Sequence, residues 1–226
     1  MKRHSLPVSM LLCGVLFMSC EKEDVPANTT AYGVHYQLTT SNPYTILGTT
    51  SLAVNTATSR TATTVSWASG GAVARRIRFQ GTSDKEVDIR IANPVNIDMT
   101  AKVTDLGMLV IPPGDYEDVR FTIDLSDTKP FELNGEYNDM PLKLQITDPL
   151  SFELTRRTLT ISANTNYNAL TTLNLSHLMD GITAPLMAEA VVSNGQILIS
   201  PTSNQRLYNL ILANMKDLGD LNFAKE

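Results

Sequence analysis

Cysteine is almost missing from this chain. There are two, Cys13 and Cys20, and none follows. From residue 21 onward that excludes disulfides, thiolate metal sites and cysteine nucleophiles. Histidine is nearly as scarce, and beyond His4 only His35 and His177 remain. They stand on separate expected elements, without carboxylates at the close spacing a zinc site needs, so each reads as a surface or structural residue. No Gly-x-Ser-x-Gly sequence marks a serine nucleophile. Lys and Arg number 18 against 23 Asp and Glu, a balance that argues against non-specific nucleic-acid binding, which needs dense positive charge to displace counterions. No apolar run reaches the ~18 residues of a membrane helix. The single tryptophan is Trp67.

What the chain does have begins at its amino end. Lys2, Arg3 and His4 precede an apolar stretch from Val8 to Met18, and small Ser19 stands before Cys20. A basic start, a short apolar core and a small residue at the cut describe an export leader. Phe17-Met18-Ser19-Cys20 resembles the bacterial lipobox, with Leu16 one place early and Phe17 where leucine is usual. That resemblance implies cleavage after residue 19, loss of Cys13 with the leader, and lipidation of Cys20. The expected product is a cell-envelope, outer-membrane lipoprotein held by acyl chains, and a triacylated cysteine buries enough methylenes for stable attachment. Removing Lys2 and Arg3 takes the basic count from 18 to 16 against 23 acids, a net charge of −7.

Residues 20–31 are polar and aperiodic and read as a tether, with a reach of about 40 Å at ~3.5 Å per residue. Lys22-Glu23-Asp24 resembles the surface-export signal of Bacteroidota lipoproteins, which leaves the surface and periplasmic positions both open.

Residues 32–200 read as one all-β domain. Val34, Tyr36 and Leu38 alternate with polar neighbours, as do Val87, Ile89 and Ile91, then Val95, Ile97 and Met99. Further strands are expected over Ala62–Trp67 and Val73–Phe79, separated by a turn at Gly70-Gly71. Others follow around Leu109–Ile111, Val119–Leu125, Leu142–Ile146, Phe152–Leu154, Leu159–Ile161 and Leu173–Leu175. Ala188–Val192 and Gln196–Ile199 read as a hairpin about Asn194-Gly195. Many short alternating strands without intervening helices predict an antiparallel β-sandwich. Residues 201–226 read as a C-terminal amphipathic helix and tail. Thr202 to Gln205 has the look of a capping box, Leu207, Leu210, Ile211, Met215 and Leu218 share a face, and Gly219 reads as a stop. A short helix is expected near Leu178–Gly181.

Leu109 to Phe121, an apolar strand running through Pro112-Pro113-Gly114 into Tyr116, resembles the lipoproteins of Bacteroidota, together with Ser19 to Glu23 and Val65 to Gly70. The resemblance implies a transthyretin-like or immunoglobulin-like sandwich and brings no catalytic residue. Fimbrillin-type pilus subunits are similar in their lipoprotein start and sandwich, and in an Arg, here Arg60, within a Ser/Thr-rich segment open to a trypsin-like protease.

Candidate chemistry is thin. Asp115, Glu117 and Asp118, and Asp124 with Asp127, could offer oxygen ligands to calcium but lack the EF-hand spacing, and solvated loop acids are the simpler reading. Arg75, Arg76 and Arg78 read as a solvated strand face, with an anionic docking patch as the alternative. Tyr116 reads as a buried ring with its hydroxyl tied to backbone, as in a tyrosine corner. Trp67 reads as core, or as an exposed aromatic facing a ligand. No metal, cofactor or catalytic residue is expected. The expected function is non-catalytic binding of a glycan or envelope protein. A pilus subunit and a carboxylate-dependent glycan hydrolase are the alternatives.

Overall fold

The computed structural model describes residues 32–54, 57–100 and 103–226, with the side chains of 49–61 outside the description. The leader, Cys20 and the tether, including Lys22 to Asp24, lie outside the described residues. Strands dominate Tyr32–Glu226, which form one unit. In chain order they are β1 (Val34–Ser41), β2 (Tyr44–Val54), β3 (Ala57–Thr82), β4 (Glu86–Ile91), β5 (Val95–Asp98), β6 (Thr104–Leu109) and β7 (Gly114–Leu125). There follow β8 (Phe131–Tyr137), β9 (Met140–Ile146), β10 (Ser151–Ile161) and β11 (Tyr167–Asn174). A 3-10 helix (Leu175–Met179) and α1 (Ala184–Ala188) lead to β12 (Val192–Ser193) and β13 (Gln196–Ile199). Last come α2 (Gln205–Asn214) and β14 (Gly219–Lys225).

The strands form two sheets. One has the order β14-β11-β1-β6, and the other runs β10-β7-β3-β8-β9-β13-β12, with β2, β4 and β5 also paired to β3. Both are mixed. Strand β1 lies parallel to β11, and β13 parallel to β9, which corrects the expectation of antiparallel pairing throughout. Alternating burial has a period of two in either direction, so it cannot report strand direction. The chain between β1 and β11 is also long enough for the crossover that a parallel pair requires.

The buried residues form one core cluster. Val34, Tyr36 and Leu38 of β1, Phe79 of β3 and Phe121 of β7 all belong to it without solvent exposure. Tyr36 stacks on Phe121 with centroids 5.4 Å apart, and Phe79 meets Phe121 and Tyr116 edge-on at 5.2 and 5.4 Å. Such offset and edge contacts are the favoured aromatic geometries. The Tyr36 hydroxyl is satisfied by Thr171 Oγ1 at 3.0 Å. Tyr116 is buried, and its hydroxyl donates to the Pro112 carbonyl at 2.6 Å, so the expected corner is formed across the Pro-Pro-Gly turn.

Strand β3 is one continuous 26-residue element where two strands and a Gly-Gly turn are expected. The glycines serve close approach. A Cβ on Gly70 would lie 2.5 Å from both the Glu132 carbonyl and Leu133 Cδ2, so a side chain there would push β8 away. The register shifts between Trp67 and Ser69 opposite β8, which marks a bulge beside this contact.

The C-terminal segment differs from expectation in two ways. Helix α2 forms and buries Leu207, Tyr208 and Ile211, but Asn204 makes no cap. It sits at φ 53°, accepts from Val191 N at 2.7 Å and donates to Val191 O and Leu198 O at 3.1 and 2.8 Å. Its side chain thereby joins the helix start to the β12–β13 hairpin. Gly219 opens β14, which pairs antiparallel with β11. Ala188 ends α1 rather than opening a strand, while Asn194 and Gly195, at φ 52° and 73°, make the expected hairpin turn.

Candidate functional site

A cleft lies beside the bulge in β3 opposite β8. About 500 Å³ opens beside Gly70 and Gly71, bounded by Asn96 of β5, Lys129 and Pro130 before β8, and Glu132 and Asn134 on β8. The Gly70 carbonyl accepts from Met99 N at 3.1 Å, which ties the chain after β5 to β3 beside the cleft. Glu132 accepts from Gln145 Nε2 at 2.8 Å and pairs with Lys143 Nζ at 3.2 Å. Asn134 donates to Ser69 Oγ at 3.4 Å. Asn96 and Lys129 are exposed, and among the described residues their side chains make no hydrogen bond or ion pair. The cleft therefore offers a carboxamide and an ammonium beside a carboxylate already held by its neighbours. It can hydrogen-bond a hydroxyl- or amide-rich ligand. Glu132 is the only acid in its lining, whereas glycoside hydrolysis uses a pair.

Trp67 is buried. It is 5% exposed and belongs to the core cluster, which removes it as a ligand-facing aromatic. It sits one residue before the bulge, with the inward parity of Val65. The exposed aromatic on this half of the sheet is Tyr44, at 53%. It directly opposes Ser66 across β2 and β3, and no turn or motif in the sequence singled it out.

A second cleft, of about 520 Å³, brings together acids that the sequence set apart. Asp84 from the β3–β4 turn joins Asp115 and Glu117 of β7. All three are exposed, and Asp115 accepts from Thr160 Oγ1 at 2.7 Å. Among the described residues no group of three His, Cys, Asp or Glu is arranged to hold a metal ion. Asp118 lies at φ 50° in a bulge of β7, where the register with β3 shifts.

The arginine cluster on β3 is internally paired. Arg78 makes a two-pronged bond to Asp88 at 2.8 and 2.6 Å. Arg76 contacts Asp124 at 2.6 Å, and Arg75 lies 3.6 Å from Asp127. These carboxylates neutralise the patch that would otherwise attract an anionic partner. Asp124 is the buried member, at 7% exposure. Burial alone would raise its pKa, but hydrogen bonds from Ser151 and Arg76 and the charges of Arg76 and Arg75 outweigh that and hold it below the ordinary value. A carboxylate depressed in the folded state stabilises the fold at pH above its unfolded value of about 3.9, and that contribution is lost as pH falls through the lower folded value. Asp124→Asn is therefore expected to lower stability at neutral pH and to flatten its decline in acid. Urea midpoints measured from neutral pH to pH 2 check this, and parallel curves for the two proteins would refute it.

His35 is half-buried on β1, opposite Asn168 of β11. His177 is exposed in the 3-10 helix, with Nδ1 2.8 Å from Asp180. Strand β11 runs from the row of one toward the other, so they lie about 20 Å or more apart. Arg60 opposes Ser51 in the β2–β3 ladder, and its side chain lies outside the described residues. Comparison of the chain with protein-family models, curated proteins and solved structures finds no match.

Proposed function

We propose that this chain is a lipid-anchored protein of the bacterial cell envelope. Its two sheets make a β-sandwich of transthyretin-like or immunoglobulin-like type, and that sandwich binds a glycan or protein partner without transforming it. The cleft beside the β3 bulge carries this reading. It combines a hydrogen-bonded backbone wall with two polar side chains, Asn96 and Lys129, that have no partner of their own among the described residues. Hydroxyl-rich ligands are recognised by such convergent amide and charged groups. Its one carboxylate among the described lining residues is engaged by Lys143 and Gln145, which leaves no second acid beside it for the paired-carboxylate chemistry of glycoside hydrolysis.

Calorimetric titration of residues 21–226 with envelope polysaccharides and peptides tests the cleft. Asn96→Ala and Lys129→Ala should each weaken binding by about fivefold or more, since a hydrogen bond is worth about 1 kcal/mol. Turnover of any such ligand would overturn the non-catalytic reading, and unchanged affinity in both variants would overturn the site. The anchor is tested separately. Cys20→Ser should leave the fold intact and move the protein from the membrane to the soluble fraction. An unmodified amino end, found by mass spectrometry of native material, would refute lipidation.

A further inference from the structure

The end of the domain at which the described chain begins carries an uncharged cleft of about 240 Å³. Eleven described residues line it, among them Tyr32, Val110, Pro112, Pro113 and Ala163, and none of these is Asp, Glu, Lys, Arg or His. Tyr32 and Val110 are 40% and 57% exposed, so the apolar groups face outward as well as into the cleft. The pole is built from rigid parts. The Pro112–Tyr116 corner holds one wall. Tyr167 N donates to Gly33 O at 3.0 Å, and its hydroxyl accepts from Ser162 N at 3.0 Å, which fixes the other.

We infer that this pole is a bilayer-docking surface, which rests on the proposed lipid anchor at Cys20. The place where the chain enters argues for this occupant. Tyr32 is itself part of the lining, and only residues 21–31 separate it from the anchoring cysteine. That length can extend no farther than about 40 Å. A short linker holds its two ends at an effective concentration in the millimolar range, so a patch with only weak affinity for lipid would be occupied most of the time. Tyrosine with its amphipathic ring suits the headgroup level. Among the described residues the lining offers no cation for anionic lipid, and Asp84 and Asp115 flank it through the neighbouring acid cleft, which shares Pro113. The partner is therefore the interface of a zwitterionic bilayer, engaged through apolar contact. The Ser41 end of β1 then points away from the membrane, about 24 Å along the strand from Val34.

The test uses the chain from Cys20 to Glu226 coupled through Cys20 to a maleimide lipid. The host is a phosphatidylcholine–phosphatidylethanolamine nanodisc carrying a paramagnetic headgroup. Because the lipid is attached chemically, failure here is separate from a finding that Cys20 is unmodified in the cell. Amide signals of Gly33, Val110 and Ala163 should broaden most and those near Ser41 least. The pattern should persist when salt shortens the Debye length from about 30 Å to about 3 Å. Tyr32→Asp with Val110→Asp, both exposed positions, should reduce the broadening at the pole severalfold while the protein stays attached. Uniform broadening over all faces, or a pattern that the double variant leaves unchanged, would overturn the proposal. So would concentration-dependent changes confined to this pole in lipid-free protein, which would assign it to a second copy of the chain.

Discussion

Gly135→Ala is expected to destabilise the domain by roughly 4 kcal/mol or more, among the largest effects a single added methyl can have. The new Cβ would stand 1.9 Å from the Ser66 carbonyl oxygen and 2.9 Å from its carbon, with Trp67 Cα at 3.0 Å. These are backbone atoms, so no rotamer change can relieve the clash. Strand β8 would have to leave β3 at the pairing that seats Trp67 and leads into the bulge at the cleft. A domain of this size loses about 2–4 °C in Tm per kcal/mol, so Tm should fall by about 10 °C or more. Gly195→Ala is a useful contrast. That site is open, and only its φ of 73° resists a side chain, at a cost of about 1 kcal/mol. Equal Tm losses in the two variants would show that strand separation at Gly135 is not the controlling contact.

Ile211→Asp is expected to cost a comparable amount, roughly 4–5 kcal/mol, by combining lost apolar burial with a carboxylate placed where water does not reach. Ile211 is fully buried on α2. Nearby, Asn214 donates to the Leu178 and Asp180 carbonyls at 3.1 and 2.8 Å and so ties the helix end to the 3-10 helix. The Tyr208 hydroxyl donates to Asp148 in the β9–β10 turn, which fastens the helix at a second point. Strand β14 follows α2 after a single 3-10 turn (Met215–Asp217) and pairs along β11. Loosening the helix should therefore also expose the β11 edge. Urea denaturation gives the stability change, and hydrogen exchange at the β11 amides that face β14 gives its spread. Unchanged stability would mean that the α2 face is not packed on the body.

Several elements were readable because they are local. Alternation along Val34–Leu38, Val87–Ile91 and Val119–Leu125 identifies half-buried strands whatever they pair with. Pro112-Pro113-Gly114 and Asn194-Gly195 specify turns through their own backbone preferences. The Tyr116 corner was legible for the same reason, since donor and acceptor are four residues apart. Gly70-Gly71 misled because the same dipeptide serves a turn and a close strand approach, and only the presence of β8 distinguishes them. Leu221 and Phe223 did alternate with Asp220 and Asn222, but a Gly after an apolar helical face is also a common stop, and that signal masked β14.

The candidate site was less legible than the fold. Its residues come from β3, β5, the turn before β8 and β8 itself, and none carries a motif. Trp67 drew attention by its rarity, yet its parity with Val65 turns it inward, while Tyr44 on the adjacent strand takes the exposed position.

Taken alone, the sequence determined a body without thiols beyond Cys20, a strand-rich domain and an amphipathic helix near its C-terminal end. Each of these follows from composition or from short-range periodicity. Strand direction, the continuity of β3, the pairing of the arginines with Asp88, Asp124 and Asp127, and the clefts were decided only by the tertiary structure. Each depends on which distant backbone comes to lie alongside, and a two-residue period carries no record of that neighbour.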